Sequence, residues 1–361
     1  MLRIAVMNGD DIGREIVPAA VSVMETALAA EGVDDIHLEH VPVGWSSYLE
    51  HGHTLPDQTK RVLQECDGLL LGPIGHAAYP KNKPECINPH PIIRKDLDLF
   101  ANLRPARSHP ALPHLHSDVN VLIVRENNEG FQPDRNMIAG CGEFQATEDA
   151  AFSVRVITRR QSERIARAAF EAARRRDGKK RVTAIHKRTV FKLTDNLFMD
   201  AVERIAQDYP DVTLDDYQVD TFAMHLVMRP QQFDVVLCTN LFGDILSDEA
   251  AGLVGGLGMA AALSTGDRVA MAQATHGSAP DIAGKGIANP YALIMSVQML
   301  LEWLSDRHGH EPLGRAARRI DAAVELTLTE GKYLTPDIGG DATTQEMTHA
   351  IAEACAAVSV T

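Results

Sequence analysis

The segment Leu241 to Glu249, LFGDILSDE, sets two carboxylates, Asp244 and Asp248, four residues apart after an apolar run, Phe233 to Cys238. If a helix starts near Gly243, residues at that spacing share a face about one turn apart, close enough to grip one hard cation such as Mg2+ or Mn2+. The pair also fits a plainer role, solvated at a helix start and favoured by the helix dipole. Asp220 closes a strand-like segment, TLDDYQVD, just before the helical-looking TFAMHLVM. It suits a helix N-cap, and equally a third carboxylate completing an oxygen-rich metal site with Asp244 and Asp248.

Three arginines lie beside candidate elements: Arg94 in IIRKDLDLF, Arg104 in ANLRP and Arg125 in IVREN. Planar guanidinium groups hold carboxylates through paired hydrogen bonds, so three that converge would receive a di- or tricarboxylate. Singly, each also reads as a surface charge or a structural salt bridge. Lys187 follows the apolar run VTAI and His186, at the strand end where open α/β sheets bind ligands. A lysine beside a metal ion can serve as a base, while a lone one is most often simply solvated.

The segment from His276 to Pro290, HGSAPDIAGKGIANP, is rich in Gly, Ala and Pro. Small residues let a backbone approach a flat or phosphorylated ligand, and Asp281 could accept hydrogen bonds from a ribose diol. No Gly-x-Gly-x-x-Gly follows any strand candidate, and the run from Asn8 to Gly13, NGDDIG, does not fit that pattern. A standard Rossmann dinucleotide site is therefore disfavoured.

The elements that must position these residues follow an α/β rhythm, short apolar runs alternating with longer amphipathic ones. Strands are expected at Leu2 to Met7, Ile36 to Val43, Gly68 to Leu71, Val119 to Val124, Val182 to Ile185 and Asp234 to Cys238. Helices are expected at Arg14 to Ala30, Gln161 to Arg176, Asp195 to Gln207, Pro290 to Ser305, Gly314 to Thr329 and Thr343 to Ala356. The stretch from Asp134 to Arg159 breaks the rhythm with a Gly140-Cys141-Gly142 turn signal and alternation in AFSVRVIT, the signature of a β-hairpin or arm. At 361 residues the chain exceeds one ordinary core, so two lobes are expected, and no linker separates them. A net charge of -14 argues against nucleic acid or an anionic membrane as main partner. The N-terminal run, MLRIAVMNGDDIG, is too short in apolar residues for a signal peptide, no stretch approaches the length of a membrane span, and the five scattered cysteines contain no Cys-x-x-Cys pair. They read as reduced thiols of a cytoplasmic protein.

Taken in order, seven motifs resemble those of the β-decarboxylating dehydrogenases, enzymes of isopropylmalate, isocitrate, homoisocitrate, tartrate and D-malate. The motifs are NGDDIGREIV, LDLFANLRPAR, VRENNEG, VDTFAMHLV, LFGDILSDE, HGSAPDIAGKGIANP and TPDIGGDATTQEM, and they span essentially the whole chain. The resemblance implies a two-lobe α/β fold of the isopropylmalate/isocitrate dehydrogenase type, with a shared central sheet and a non-Rossmann nucleotide site. Residues 1–100 and 255–361 would form the nucleotide lobe. Residues 101–254 would form the dimerisation and catalytic lobe, with an arm near 134–159 exchanged across a homodimer. It implies NAD- and Mg2+/Mn2+-dependent oxidative decarboxylation of a 3-substituted malate, a small di- or tricarboxylate. Asp220, Asp244 and Asp248 match the metal ligands, with Asp220 reaching the site of a second subunit. Arg94, Arg104 and Arg125 match the residues that hold the malate carboxylates, and Lys187 matches the lysine that, also from the partner subunit, relays the hydroxyl proton. His276, Gly277, Ser278, Ala279, Pro280, Asp281, Ile282 and Asn289 match the nucleotide loop, where an acidic Asp281 goes with NAD rather than NADP.

Two departures from the family pattern bear on function. Where relatives carry a tyrosine that protonates the product, this chain has Gln132, in Glu129-Gly130-Phe131-Gln132-Pro133. A neutral amide has no proton to give near neutral pH. This raises the alternative of a catalytically impaired ligand-binding or regulatory relative. Where isopropylmalate enzymes pack leucines on the isopropyl group, this chain has Ile87-Asn88-Pro89-His90-Pro91. His90 facing the substrate substituent would favour a polar or acidic one. With His90 turned to solvent, Ile92 or Ile93 would pack on it instead.

Overall fold

A computed structural model describes residues 1–131 and 141–360. Gln132, and the stretch 134–140 of the expected arm, lie outside these residues. The chain runs β1 (Leu2–Met7), α1 (Gly13–Ala30), β2 (Ile36–His40), α2 (Gly44–His51), α3 (Asp57–Glu65), β3 (Gly68–Leu71), α4 (Pro89–Asp96), β4 (Ala101–Arg107) and β5 (Asn120–Glu126). It continues through β6 (Glu143–Thr147), β7 (Ala150–Ser153), α5 (Arg159–Arg175), β8 (Arg181–His186), α6 (Thr194–Ala206), β9 (Thr213–Gln218), α7 (Val219–Met228), β10 (Val235–Cys238) and α8 (Asn240–Val254). It closes with β11 (Leu263–Thr265), β12 (Ala270–Ala272), α9 (Tyr291–His308), α10 (Glu311–Glu330) and α11 (Thr344–Ala357).

Ten strands form one sheet in the order β2-β1-β3-β12-β11-β4-β5-β10-β8-β9. Pairing is parallel at both ends and antiparallel from β12 through β11 and β4 to β5. The parallel strands β3 and β10 read GLLL and VVLC and are buried at every residue, as expected where helices cover both faces. In α1, Ile16, Val17, Ala20, Val23, Met24, Ala27 and Leu28 recur at helical spacing and are buried with β1, α9, α10 and α11. At the other end of the sheet, α5 and α6 pack on β5, β8 and β10, while α7 and α8 cover the opposite face. The hairpin β6-β7 stands apart from the main sheet, with Phe144 and Phe152 stacked at 5.3 Å and both about half exposed.

Three local expectations need correction. Helix α8 starts at Asn240 with Thr239 as its N-cap, a few residues before Gly243. Asp220 is not an N-cap, because Gln218 holds that position and Asp220 lies in the first turn of α7. The strand expected over Ile36 to Val43 ends at His40, since Val41 to Val43 lead into α2.

Candidate active site

The antiparallel centre of the sheet aims the first half of the site. Side chains alternate along a strand, so Asn102 and Arg104 of β4 share a face, and the register sets Asn102 opposite both Arg125 and Ser264. Asn102 donates to the Ser264 hydroxyl at 2.8 Å and accepts from Nε of Arg104 at 2.9 Å, which turns that guanidinium toward α8. There Arg104 donates to Asp244 at 3.2 Å and to the Ser247 hydroxyl at 2.7 Å, with Asp248 at 3.7 Å. Arg125 donates to the same Asp244 oxygen and, at 2.7 Å, to the side-chain carbonyl of Asn240. Both arginines are buried. Burial draws the Arg104 pKa down, against the pull of Asp244 and Asp248. The Asp248 carboxyl is pushed up, first by burial, with Arg104 opposing and Asp244 reinforcing.

The second half lies one helix away. Strand β8 ends at His186, and Lys187 donates from Nζ to Asp220 at 2.7 Å. That hydrogen bond is the main reason the Asp220 carboxyl sits below its ordinary range. Among the described residues no three carboxylate, histidine or cysteine side chains gather as a metal group, so Asp220 does not join Asp244 and Asp248 within one chain.

Arg94 is separate again. On α4, capped by Asn88 with Pro89 at its first position, Arg94 donates to the side-chain oxygen of Gln273 at 3.2 Å. The Gln273 amide nitrogen lies 2.5 Å from Nε2 of His90, so the three side chains form one polar chain. Gln273 follows β12, is buried, and donates its own N–H to Ala262 at 3.1 Å. Extended by one residue, the strand register sets Ala262 between Gln273 and Arg104. The Arg94 chain and the Arg104 pair are then two strand spacings apart, about 10 Å. Ile93 is buried among Leu55, Leu63, Leu71 and Leu99, and Ile92 packs against the same cluster. Burial in this cluster takes Ile93 out of the alternative wall, and Ile92 keeps a partly exposed side chain.

The loop 276–289 is held from beneath. The Ser278 carbonyl accepts from the Ile12 N–H at 3.2 Å, and the Gly284 N–H donates to Glu15 at 2.6 Å. Asn289 donates to Asp337 at 3.0 Å, and its side-chain oxygen accepts the Tyr291 N–H at 2.9 Å at the start of α9. The tight NGDDIG turn lies against this loop: Gly9 has φ +69, and a Cβ there would lie 2.3 Å from the Pro73 carbonyl oxygen. On the outer side, side-chain atoms added at Gly277, Gly284 or Gly286 would meet nothing, and Asp281 is exposed. Burial holds the His276 pKa below its ordinary value. Ala279 adopts φ +43, a strained turn conformation for a residue with a side chain.

The isocitrate/isopropylmalate dehydrogenase family matches residues 3–351. The chain is 43% identical to the isocitrate/homoisocitrate dehydrogenase of Thermus thermophilus, over 98% of each chain. It is 39% identical to the 3-isopropylmalate dehydrogenase of Methanothermobacter thermautotrophicus, over 97% of this chain and 98% of that one. The crystal structure of isocitrate dehydrogenase from Methylococcus capsulatus superposes with a TM-score of 0.86 at 42% identity, covering 98% of this chain and 99% of that one. The chain belongs to the isocitrate/isopropylmalate dehydrogenase family. Enzymes of this family use a divalent metal and a nicotinamide cofactor.

The side chains of this family member fit both groups. Asp244 and Asp248 offer only oxygen donors, suited to a hard dication, and the Asp244 charge that helps push the Asp248 carboxyl up is what a dication would offset. The open backbone of 277–286 beside exposed Asp281 suits a flat, diol-bearing ligand. Sequence reading missed Asn102, Asn240, Ser247 and Gln273, which orient the arginines, Asn102 from the same strand as Arg104 and the others from elsewhere in the chain. Gln273 carried a signal of its own, a lone amide in the apolar run from Val269 to Ala274.

Proposed function

We propose that this chain catalyses the oxidative decarboxylation of a malate bearing a carboxyalkyl group at C3, of the isocitrate or homoisocitrate type, using NAD+ and Mg2+ or Mn2+, as a homodimer with shared sites. The observation that carries the substrate choice is the Arg94–Gln273–His90 chain. It presents a cation, an amide and an imidazole about 10 Å from the Arg104 pair, while Ile93 is core and Ile92 packs, partly buried, against it. An isopropyl group against that wall would strip water from a cation and an imidazole and return nothing polar, whereas a third carboxylate would pair with the Arg94 charge.

In this reading Arg104 and Arg125 exchange Asp244 for substrate carboxylates, and the two aspartates turn to the cation. The bound metal and nicotinamide would supply charge stabilisation at the hydroxyl and carbonyl oxygens and acceptance of the hydride. Lys187, steadied by Asp220, takes the hydroxyl proton at Nζ. The absence of a three-carboxylate group among the described residues of one chain supports a second copy as the source of Lys187 and Asp220. Exposed Met224, Val227 and Met228 on α7 and Ile245 on α8 form an apolar surface that such a copy would cover. The apolar clusters, which apart from Leu112 divide close to residues 100 and 255, support a nucleotide lobe of 1–100 with 255–361 and a catalytic lobe of 101–254. Asp281 supports NAD over NADP, because a 2′-phosphate beside an exposed carboxylate is repelled.

The test is initial rates of NADH and NADPH formation with isocitrate, homoisocitrate, isopropylmalate, tartrate and D-malate, with and without divalent metal. We expect metal-dependent NADH with a tricarboxylate, and a His90→Leu variant that moves toward isopropylmalate. A wild type that prefers isopropylmalate would overturn the substrate assignment. Calorimetric binding of tricarboxylate and NAD+ with no turnover on any substrate would instead support the impaired relative suggested by Gln132.

A further inference from the structure

Asp195 is wholly buried in the first turn of α6, yet it caps no N–H of its own helix. One carboxylate oxygen accepts the backbone N–H of Lys187 at 2.5 Å, and the other accepts from the guanidinium of Arg155. The rest of the Lys187 turn is equally fixed, its carbonyl accepting from the N–H groups of Val190 and Phe191 at 2.9 Å each. Arg155 lies two residues beyond β7, and its side chain is buried. It donates to the Thr194 hydroxyl at 2.7 Å and reaches the hydroxyl of Thr239, the N-cap of α8, at 3.4 Å. Three rings surround its guanidinium: Phe191 at 4.7 Å, and Phe131 and Phe242 at 5.6 Å each. Phe242 is two residues before Asp244, and Phe131 immediately precedes Gln132.

We infer that Arg155 and Asp195 are a positioning pair that fixes the backbone of Lys187 relative to α8, and so ties the lysine half of the site to the metal half of the same chain. The pair touches neither substrate nor cofactor. Its contacts run to the turn that aims Lys187, to the cap and first turn of the helix that carries Asp244 and Asp248, and to the base of the β6-β7 hairpin. A buried ion pair enclosed by aromatic rings has one geometry, because moving either partner strands a charge. This inference rests on the proposed function. If Lys187 serves a second copy while α8 serves its own site, the pair also links the two sites of the dimer.

The test uses Asp195→Asn and Arg155→Lys in the full-length enzyme, with Lys187→Met as control. We expect kcat to fall roughly 10- to 100-fold in Asp195→Asn with less than about a threefold change in substrate KM, the split expected when a proton-relaying group is misaimed. We also expect the limb of the pH–kcat profile that depends on Lys187 to move. Arg155→Lys, which keeps the charge, should restore part of kcat relative to Arg155→Met. If Lys187→Met is inactive while Asp195→Asn and Arg155→Lys keep wild-type kcat and pH profile, the inference fails and the proposed function stands. If Lys187→Met keeps wild-type kcat, the proposed role of Lys187 fails and this inference with it. If neither Asp195→Asn nor Arg155→Lys yields a folded protein, the pair serves stability alone and the inference is overturned.

Discussion

Gly243 stands where α8 crosses Arg125: a Cβ built there would lie 2.7 Å from Cγ and 2.8 Å from Cβ of that arginine. Separations that short are not tolerated, and Arg125 is too buried to move freely. Gly243→Ala should therefore displace Arg125 from Asp244 and Asn240 and raise substrate KM about tenfold, a loss of about 1.4 kcal/mol. Steady-state kinetics would check this, with NAD+ KM as the internal control expected to stay within about twofold. An unchanged substrate KM would mean that Arg125 does not hold substrate. At this scale the site was only partly legible in the sequence. LFGDILSDE announces two carboxylates, and its glycine reads as a helix-start residue, but no spacing rule says that an arginine from another strand passes over it. The same holds for Gln273, which meets His90 across 183 residues of chain. Local pattern has no access to contacts that exist only after the sheet is assembled.

The parallel strands and long helices were legible because their burial writes a period into the sequence. Gly68 to Leu71 is fully apolar, and α1 places apolar residues on one stripe. The antiparallel centre was not: β4 carries Arg104, Pro105 and Arg107, and β11 and β12 are three residues each. Those strands are specified by their neighbours and by the site they carry, so the least legible part of the sheet is the part that aims the arginines. Helix packing offers a test of how far a designed charge contact holds such elements together. Glu31, after the C-terminus of α1, accepts from Arg315 at 2.7 Å and from Arg319 at 2.6 Å on α10. Burial raises its pKa, but the two arginines outweigh that and leave it below the ordinary 4.5. A depressed carboxylate contributes stability that is present above 4.5 and lost as the pH falls through its folded-state pKa. Glu31→Gln should cost about 1–2 kcal/mol at pH 7. Thermal melts of wild type and variant should draw together as the pH drops below 4.5; a gap that persists in acid would mean that packing, not charge, holds the contact.

At the scale of the whole molecule, the residues of the proposed site fall into two groups within one chain. Asp244 and Asp248 sit with Arg104 and Arg125, Lys187 sits with Asp220, and no third metal donor joins either group among the described residues. A homodimer in which each copy lends Lys187 and Asp220 to the other makes a quantitative demand. Asp244→Asn should inactivate a dimer through the metal half, and Lys187→Met should inactivate it through the lysine half. A hybrid of the two places both lesions in one site, leaving the other with an intact metal half from the Lys187→Met subunit and an intact lysine half from the Asp244→Asn subunit. Random mixing makes about half the dimers hybrids with one good site of two, so a refolded equimolar mixture should recover about one quarter of wild-type activity. Two inactive parents whose mixture stays inactive, although differently tagged subunits are shown to have exchanged, would place a complete site within one chain. The Lys187–Asp220 pair would then have to swing to α8, a movement the hydrogen bonds of the Lys187 turn to Asp195, Val190 and Phe191 oppose.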